Sequence, residues 1–301
     1  MSTITYTQCP GCFNTSINKV FRCKDYTVSK EQFDIWECAN CTLRFTQNIP
    51  DESSIGKYYQ SADYVSHSDT KEGVVNKLYH SIRNHTLKTK ENLVKEATGK
   101  HQGSLLDIGA GTGAFANAMK QGGWHVTGLE PDETARKNAL SNYDLSLEDP
   151  AKLNQFPANT FDALTMWHVL EHVHDLHGYL QSFHKILKQD GKLIIAVPNY
   201  TSKDANTYRE YWAAYDVPRH LYHFSPASMK VLLEAEGFKL VQTKPMWFDS
   251  FYVSMLSEQY KSGSNLIKAG LNGILSNLKA VADNKRCSSV IYIAEKKSIG
   301  T

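Results

Sequence analysis

The sequence predicts an α/β protein: a doubly wound, mostly parallel sheet of seven strands, preceded by a small cysteine-bearing module. Three observations carry this expectation. From Leu105 onward, short apolar runs alternate with amphipathic ones, the pattern of parallel strands with helices on both faces. The apolar run Leu105–Ile108 leads straight into Gly109, Gly111 and Gly113, and a helical pattern follows. A glycine turn of this kind lets backbone approach a nucleotide-like ligand, and the helix N-terminus offers its unpaired N–H groups to an anionic group. Near the N-terminus, Cys9 and Cys12 form one CxxC pair and Cys38 and Cys41 a second, with 25 residues between the pairs.

The 301 residues suffice for one large domain or two modest ones, and 41% hydrophobic with 21% charged residues fits a globular chain. A formal net charge of +2 and the lack of a long basic run give a nucleic-acid or membrane-surface partner no electrostatic support. Met1–Gln8 is polar, unlike a signal peptide, and Leu193–Val197 is far too short to cross a bilayer. The expectation is a cytoplasmic protein with reduced cysteines, and reduced CxxC pairs point to metal. Each pair can present two thiolates from a tight knuckle, and two knuckles complete the four-sulfur set that zinc prefers. Residues 1–48 are therefore expected to form a zinc ribbon, with strand-like sequence from Val28 to Trp36 and a purely structural ion. Cys23 and Cys287 lack a CxxC partner and read as buried small hydrophobes.

Residues 49–100 read as a helical lid or linker, with Val75, Leu78, Tyr79 and Ile82 on one packing face. Its tyrosines are best explained by packing; the sharper alternative makes Tyr58 or Tyr64 a lid over the glycine loop. Residues 101–301 form the ligand-binding domain. Ala114–Gln121 is a helix, His125–Leu129 a strand ending at Glu130, Asp132–Leu140 a helix and Tyr143–Leu147 a third strand followed by Glu148. Phe161–Met166 is the fourth strand, Leu180–Leu187 a helical pattern, and Lys192–Val197 the fifth strand. Ligand sites in such sheets lie at the C-terminal strand ends, where the glycine loop, Glu130, Glu148 and Trp167–His168 all fall. Glu130 stands 21 residues after Gly109, the spacing at which an acidic side chain meets a ribose diol.

Four blocks in order, LLDIGAGTGAF, GLEP, FDALTMWHVLEHV and LKQDGKLIIAVPN, resemble the class I S-adenosylmethionine-dependent methyltransferases, in the group that includes the ubiquinone-biosynthesis O-methyltransferases. The match spans about residues 103–200. It implies a Rossmann-like fold with Gly109, Gly111 and Gly113 along the methionine portion of the cofactor and Glu130 on the ribose hydroxyls. By the same resemblance Asp107 helps fix the loop, Glu148 or its neighbours flank the adenine, and Trp167 is counted with the cofactor-binding set. Gly109, Gly111 and Ala114 also satisfy the fingerprint of an NAD(P)-dependent oxidoreductase. The third glycine, the aspartate before the loop and the later FDALTMWHVLEHV block favour the methyltransferase.

His168, Glu171 and His172 spell HxxEH, a zinc-peptidase signature. Its place after a buried strand, inside a methyltransferase block, argues against that use. Some relatives bind a metal through a Glu and an EH pair at these positions; here His168 stands where the first Glu would be. Glu171 and His172 are therefore read as organising the helix start and the adjoining loop by hydrogen bonds, and His174 and His177 as lying on the solvated face.

The last third holds the run PRHLYHFS, with Arg219, His220 and His223 gathered where no packing logic asks for them. It resembles the run in zinc-bearing methyltransferases and the EHVxxFS run of deoxysugar C-methyltransferases, which also carry a four-cysteine module. The resemblance puts His220 in the place of the catalytic histidine, with Arg219 replacing the acidic residue beside it. A histidine near its unperturbed pKa suits proton removal, and an arginine suits an anionic group of the substrate. His220, His223 and His168 are the candidate catalytic residues. Ser225 and Pro226 open a helix through Glu236, and Phe238–Thr243 is the sixth strand. Ile267, Leu271, Ile274, Leu278 and Val281 recur at helical spacing, a stripe for core packing or a homodimer face, with a groove for a lipid-linked acceptor as the third account. Ser288–Ala294 is the last strand, expected to insert into the sheet. The expected function is O- or C-methyl transfer from S-adenosylmethionine to a small polar acceptor, with a nucleotide-linked or otherwise activated sugar as the leading substrate and His220 as the base. The alternatives are the oxidoreductase, a nucleic-acid or protein modifier that reads its target through the zinc ribbon, and a non-catalytic binder that kept the cofactor fold.

Overall fold

The computed structural model describes residues 2–60, 74–263 and 265–297, apart from the side chains of 74–84, 266 and 282. Tyr64, and the side chains of Val75, Leu78, Tyr79 and Ile82, lie outside what is described.

The N-terminal region holds β1 (Thr3–Ile4), β2 (Ile17–Lys24), β3 (Gln32–Cys38), β4 (Arg44–Thr46) and β5 (Ile49–Pro50). β2 and β3 form an antiparallel hairpin. Its turn is tied by the Asp25 carboxylate, which accepts the backbone N–H groups of Thr27, Val28 and Ser29 at 2.7–3.1 Å. Val28 through Glu31 thus belongs to the turn rather than to the strand expected there. Between Ile49 and the glycine loop, the described residues hold one 3-10 turn, Ile55–Tyr59, and one helix, α1 (Val74–Thr98).

Next come β6 (Ser104–Ile108), α2 (Ala114–Gln121), β7 (His125–Leu129), α3 (Glu133–Tyr143), β8 (Phe161–Trp167), α4 (Leu176–Ile186) and β9 (Leu187–Pro198). α5 (Lys203–Tyr208), β10 (Tyr222–His223), α6 (Pro226–Ala235), β11 (Phe238–Pro245), α7 (Asp249–Ser262), α8 (Leu266–Ala282) and β12 (Ser289–Lys296) complete the order. The mostly parallel sheet runs β11-β12-β9-β8-β6-β7, so the last strand is inserted as expected. β6 pairs in parallel with both β7 and β8, register Asp107 with Gly128 and with Thr165. Among the described residues the sheet has six strands, not seven. The expected strand Tyr143–Leu147 shrinks to a single parallel bridge between Leu129 and Glu148. Asp144 bends the chain through a left-handed conformation before it, and Asp149-Pro150 opens a 3-10 turn directly after it. Proline cannot donate to a ladder, so the edge pairing stops there.

The chain forms two compact units: Met1–Ser66, His168–Tyr179 and Ala196–Tyr292 in one, and His67–Trp167, Leu180–Ile195 and Ile293–Thr301 in the other. These cut the chain differently from three consecutive segments. In the first unit, β10 pairs antiparallel with β4 and completes the four-stranded sheet β10-β4-β3-β2. Phe33 and Ile35 of β3 share a core with Tyr200, Tyr208, Trp212 and Tyr215. Tyr58 is buried in this same core and donates its hydroxyl to Glu31 at 2.7 Å, which removes it as a lid. Cys23 and Cys287 are buried, as expected of small hydrophobes.

Candidate functional site

In the second unit, the glycine loop follows from the burial of β6: Leu105, Leu106 and Ile108 are all core, so the strand must emerge at its C-terminal end. Gly109, Gly111 and Gly113 all have positive φ, which side chains other than glycine adopt only at a cost. Gly113 could not be otherwise, since a Cβ there would stand 2.9 Å from Cβ of Ala139. Gly111 is the opposite case: a Cβ there would meet nothing within 4 Å, so the loop presents bare backbone to open space.

Glu130, at the end of β7, accepts the Gly111 N–H at 2.7 Å and the Asp132 N–H at 3.0 Å, one on each oxygen. A carboxylate has about four lone-pair sites, so this anchoring leaves acceptor capacity on both oxygens. Burial raises its pKa, opposed by those two backbone donors. Asp107 is fully buried and its Oδ1 accepts the Thr165 hydroxyl at 2.7 Å. Its side chain therefore ties β6 to β8 and does not bond the loop as expected. Burial pushes it up to about 7. Glu148 is exposed, and its backbone continues the ladder by exchanging bonds of 2.9 Å with Gly128 and Glu130. Trp167 packs edge-on against Phe115 at 5.3 Å, and the Lys90 ammonium lies 4.3 Å from its ring centre.

In the first unit, a second constellation forms. His168, at φ 59°, sits where the chain leaves β8. Its Nε2 lies 2.8 Å from the Asp249 carboxylate and its Nδ1 3.4 Å from that of Glu171. Burial alone would lower its pKa; Asp249 and Glu171 outweigh burial and hold it near 10, so His168 is an imidazolium at neutral pH. Glu171 is fully buried, yet neither carboxylate oxygen has a hydrogen-bond partner. Its side chain thus makes no hydrogen bond to the helix start, while its backbone carbonyl accepts the Leu221 N–H of the adjoining loop at 2.8 Å. Burial would raise it, and the three histidines around it keep it ionised.

His172 does meet the adjoining loop: its Nδ1 is 3.0 Å from the Arg219 carbonyl and 3.1 Å from the Tyr59 hydroxyl. His220 places its Nδ1 2.8 Å from the Ala214 carbonyl. A carbonyl can only accept, so in both rings Nδ1 carries the proton and Nε2 keeps its lone pair. Burial, reinforced by His220, lowers His172 to about 4, so it is neutral. The two rings meet edge to face at 4.6 Å. Glu171, His172 and His220 each offer one ligand atom within 4.8 Å of the others, a two-histidine, one-carboxylate set that fits a divalent ion. The carbonyls behind both Nδ1–H groups are the backing that metal-binding or basic imidazoles require.

Other residues of the same run do different work. The Arg219 guanidinium is buried and bonds Asp216, Asp25, Thr27 and the Tyr58 carbonyl, which leaves it no part in holding a substrate anion. His223 lies in β10, buried beside Tyr215, with Nε2 3.1 Å from the Thr46 hydroxyl, and burial pushes its pKa far down. It is a neutral member of the small sheet, outside the Glu171 set. His177 is not solvated: it stacks on Phe13 at 4.5 Å and bonds Glu236 and the Pro10 carbonyl. Asp249 and Tyr59 carry no motif, and reading the sequence missed both.

The four cysteines come together as expected. Cys9 and Cys41 Sγ are 3.5 Å apart, and Cys12 and Cys38 3.6 Å. The two knuckles are alike: in each, the residue four after the first cysteine (Phe13, Thr42) has positive φ and donates its N–H to that cysteine's carbonyl, at 2.9 and 3.0 Å. The Gly11 N–H reaches Cys9 Sγ at 3.4 Å, and a Cβ at Gly11 would strike Leu43 at 2.7 Å. The donor set fits a closed structural zinc site.

Comparison with known proteins agrees with this geometry. A family model described as a methyltransferase domain matches residues 79–243. The ubiquinone biosynthesis O-methyltransferase of Haemophilus ducreyi is 35% identical over 119 residues, 36% of this chain and 50% of that protein. The one from Vibrio campbellii is 28% identical over 191 residues, 58% of this chain and 77% of that protein. The chain thus spans about half the length of the first curated relatives it matches. Among solved structures, magnesium protoporphyrin IX methyltransferase from Synechocystis PCC 6803 with bound SAH aligns with TM-score 0.54 at 14% identity, over 82% of this chain and all of that one. A putative sarcosine dimethylglycine methyltransferase from Galdieria sulphuraria aligns with TM-score 0.51 at 16% identity, over 72% and 88%. With a family model covering more than half of its residues, on a sheet that carries the glycine loop and Glu130 in place, the chain belongs to the methyltransferase domain family.

Proposed function

We propose that the protein transfers a methyl group from S-adenosylmethionine to a hydroxyl of a small polar acceptor, with a nucleotide-linked sugar as the leading class. The open face of Gly111 and the spare acceptor sites of Glu130 suit the donor's methionine and ribose portions. When bound, S-adenosylmethionine supplies an electrophilic methyl group on a sulfonium. The protein's part is then to orient the acceptor oxygen and remove its proton. The observation that carries this role is the tautomer of His220: with Nδ1–H held by the Ala214 carbonyl, Nε2 is a fixed proton acceptor. The ionised Glu171 stabilises the imidazolium that forms, and His168, already charged, orients that carboxylate. The sugar rests on the PRHLYHFS resemblance, and the hydroxyl on the curated relatives' printed names. Zinc in the four-cysteine site is part of the same proposal and takes no step in the chemistry.

The orphaned oxygens of Glu171 favour a second reading, in which Glu171, His172 and His220 hold a divalent cation. The cation would polarise the acceptor hydroxyl and lower its pKa.

The test is a His220→Gln variant assayed with methyl-labelled S-adenosylmethionine and a panel of nucleotide-linked sugars. Donor binding measured by calorimetry should be unchanged while turnover falls about 10²–10⁴-fold. Chelator that abolishes turnover, with activity restored by added divalent ion and the four-cysteine zinc still in place, selects the cation reading. Unchanged turnover in the variant removes both.

A further inference from the structure

α7 and α8 are built inside out. Where they meet the protein, most of the fully buried residues are small: Ser250, Ser254 and Ser257 of α7, and Ala269, Ser276 and Ala280 of α8, with Val253 half-buried against the core and Tyr260 stacked on Tyr26. Phe251 packs on the bare backbone of Gly273, where a Cβ would meet it at 2.7 Å. The large apolar residues point the other way. Ile267, Leu271, Ile274, Leu275, Leu278 and Val281 recur at helical spacing along one face of α8 and are 47–79% exposed. Trp247, Phe251 and Tyr252 add exposed aromatic surface beside them. A water-facing surface helix carries the reverse pattern, and so large a joined apolar face marks an interaction site.

We propose that this face seats on the surface of a lipid bilayer with anionic headgroups, α8 lying along the interface. Small residues between helices and large apolar ones outside is the arrangement helices use against lipid. The charge around the face selects the occupant. From Lys261 to Arg286 the chain carries five basic residues and one acidic residue, Asp283. Lys261, Lys268, Lys279, Lys285 and Arg286 are all exposed, Lys268 bridging to Glu258 at 2.9 Å and Arg286 to Asp283 at 3.6 Å, so the surplus positive charge rests on Lys261, Lys279 and Lys285. Basic side chains flanking an exposed aliphatic stripe, with tryptophan and tyrosine at its edge, are the features of an interfacial helix. A second copy on the same face would bring two such positive rims together around a two-fold axis, which opposes self-association. Among the described residues no helix is long and apolar enough to cross a membrane, so the attachment is peripheral. The proposal stands apart from the methyl-transfer reading, because it needs neither donor nor acceptor.

Flotation of the full chain with vesicles tests it directly. The chain should float with vesicles of phosphatidylcholine and phosphatidylglycerol, and much less with phosphatidylcholine alone. Raised salt should weaken the binding. The double variant Leu271→Ser, Leu278→Ser removes two exposed side chains, so the fold survives, as circular dichroism would verify. Its partitioning onto anionic vesicles should fall at least about tenfold. Failure to float with either vesicle overturns the proposal, and so does equal binding to both. A dimer in light scattering that the double variant dissolves, without vesicle binding, assigns the face to a second copy instead.

Discussion

Replacing Arg219 by alanine should destabilise the protein severely, because its buried guanidinium is the cation between the buried Asp25 and the half-buried Asp216. Its Nε and Nη2 reach the two oxygens of Asp216 at 2.9 and 2.5 Å, and Nη2 also stands 3.3 Å from Asp25 Oδ1. Nη1 donates to the Tyr58 carbonyl at 2.7 Å. Removing one member of a buried ion pair leaves an uncompensated charge and costs about 3–5 kcal/mol. Here two carboxylates and a carbonyl lose their donor, so the upper end, about 5 kcal/mol, is expected. The pH dependence follows from Asp25. Burial would raise it, but the Ser29 and Val28 N–H groups and Arg219 hold it near 2, against 3.8 ordinarily. A depressed carboxyl contributes stability that is present above the unfolded value and lost as pH falls through the folded one. The shift is worth about 2 kcal/mol. In the variant this acid-side loss should shrink, because one of the groups holding Asp25 ionised is gone. Urea unfolding at pH 7 and at pH 3 measures both effects. A destabilisation under about 1 kcal/mol, with a raised KM for an anionic acceptor, would falsify the structural assignment and return Arg219 to the role of substrate clamp.

Two further outcomes follow. Purified protein should carry one zinc per chain, and Cys38→Ser should release it and unfold the β2–β3 region; full near-ultraviolet dichroism in metal-free protein would show the knuckles hold without an ion. Gly113→Ala forces a side chain to φ 79° and a contact of 2.9 Å with Ala139, so it should cost about 2 kcal/mol or more and weaken donor binding; calorimetry showing unchanged affinity would remove the loop from the donor site.

The strands and helices around the glycine loop were legible because each has a buried face that sets the period of its apolar residues. α2 and β7 fall on the expected residues, and Ser225 caps α6 through a full capping box with Ser228. α7 was invisible for the opposite reason. Its buried side is serine, so apolar periodicity pointed outward and marked no core. The stripe of α8 was read as helical but left open between core packing, a homodimer face and a lipid groove, since sequence reports the period of a pattern and not which side faces protein. At the candidate site, spacing singled out Glu130 and His168, and the PRHLYHFS run His220. It could not tell that Arg219 is spent on Asp25, a residue 194 positions away, or that Asp249 charges His168. Such pairings are made by the fold alone.

The closing of the small sheet by β10 has a kinetic consequence. Thr46 and His223, which meet there, are 177 residues apart in the chain. Strand pairs so distant form late, since the entropy of closing the intervening loop comes before any contact rewards it. During synthesis the cysteine knuckles emerge long before β10, so β4 keeps an open edge until residue 223 has left the ribosome. An unpaired edge is a template for other chains. On the proposed zinc occupancy, early capture of the ion would pin β3 and its hairpin in place and shorten the interval in which that edge is both formed and exposed, so that the ion would serve the nascent chain as much as the finished one.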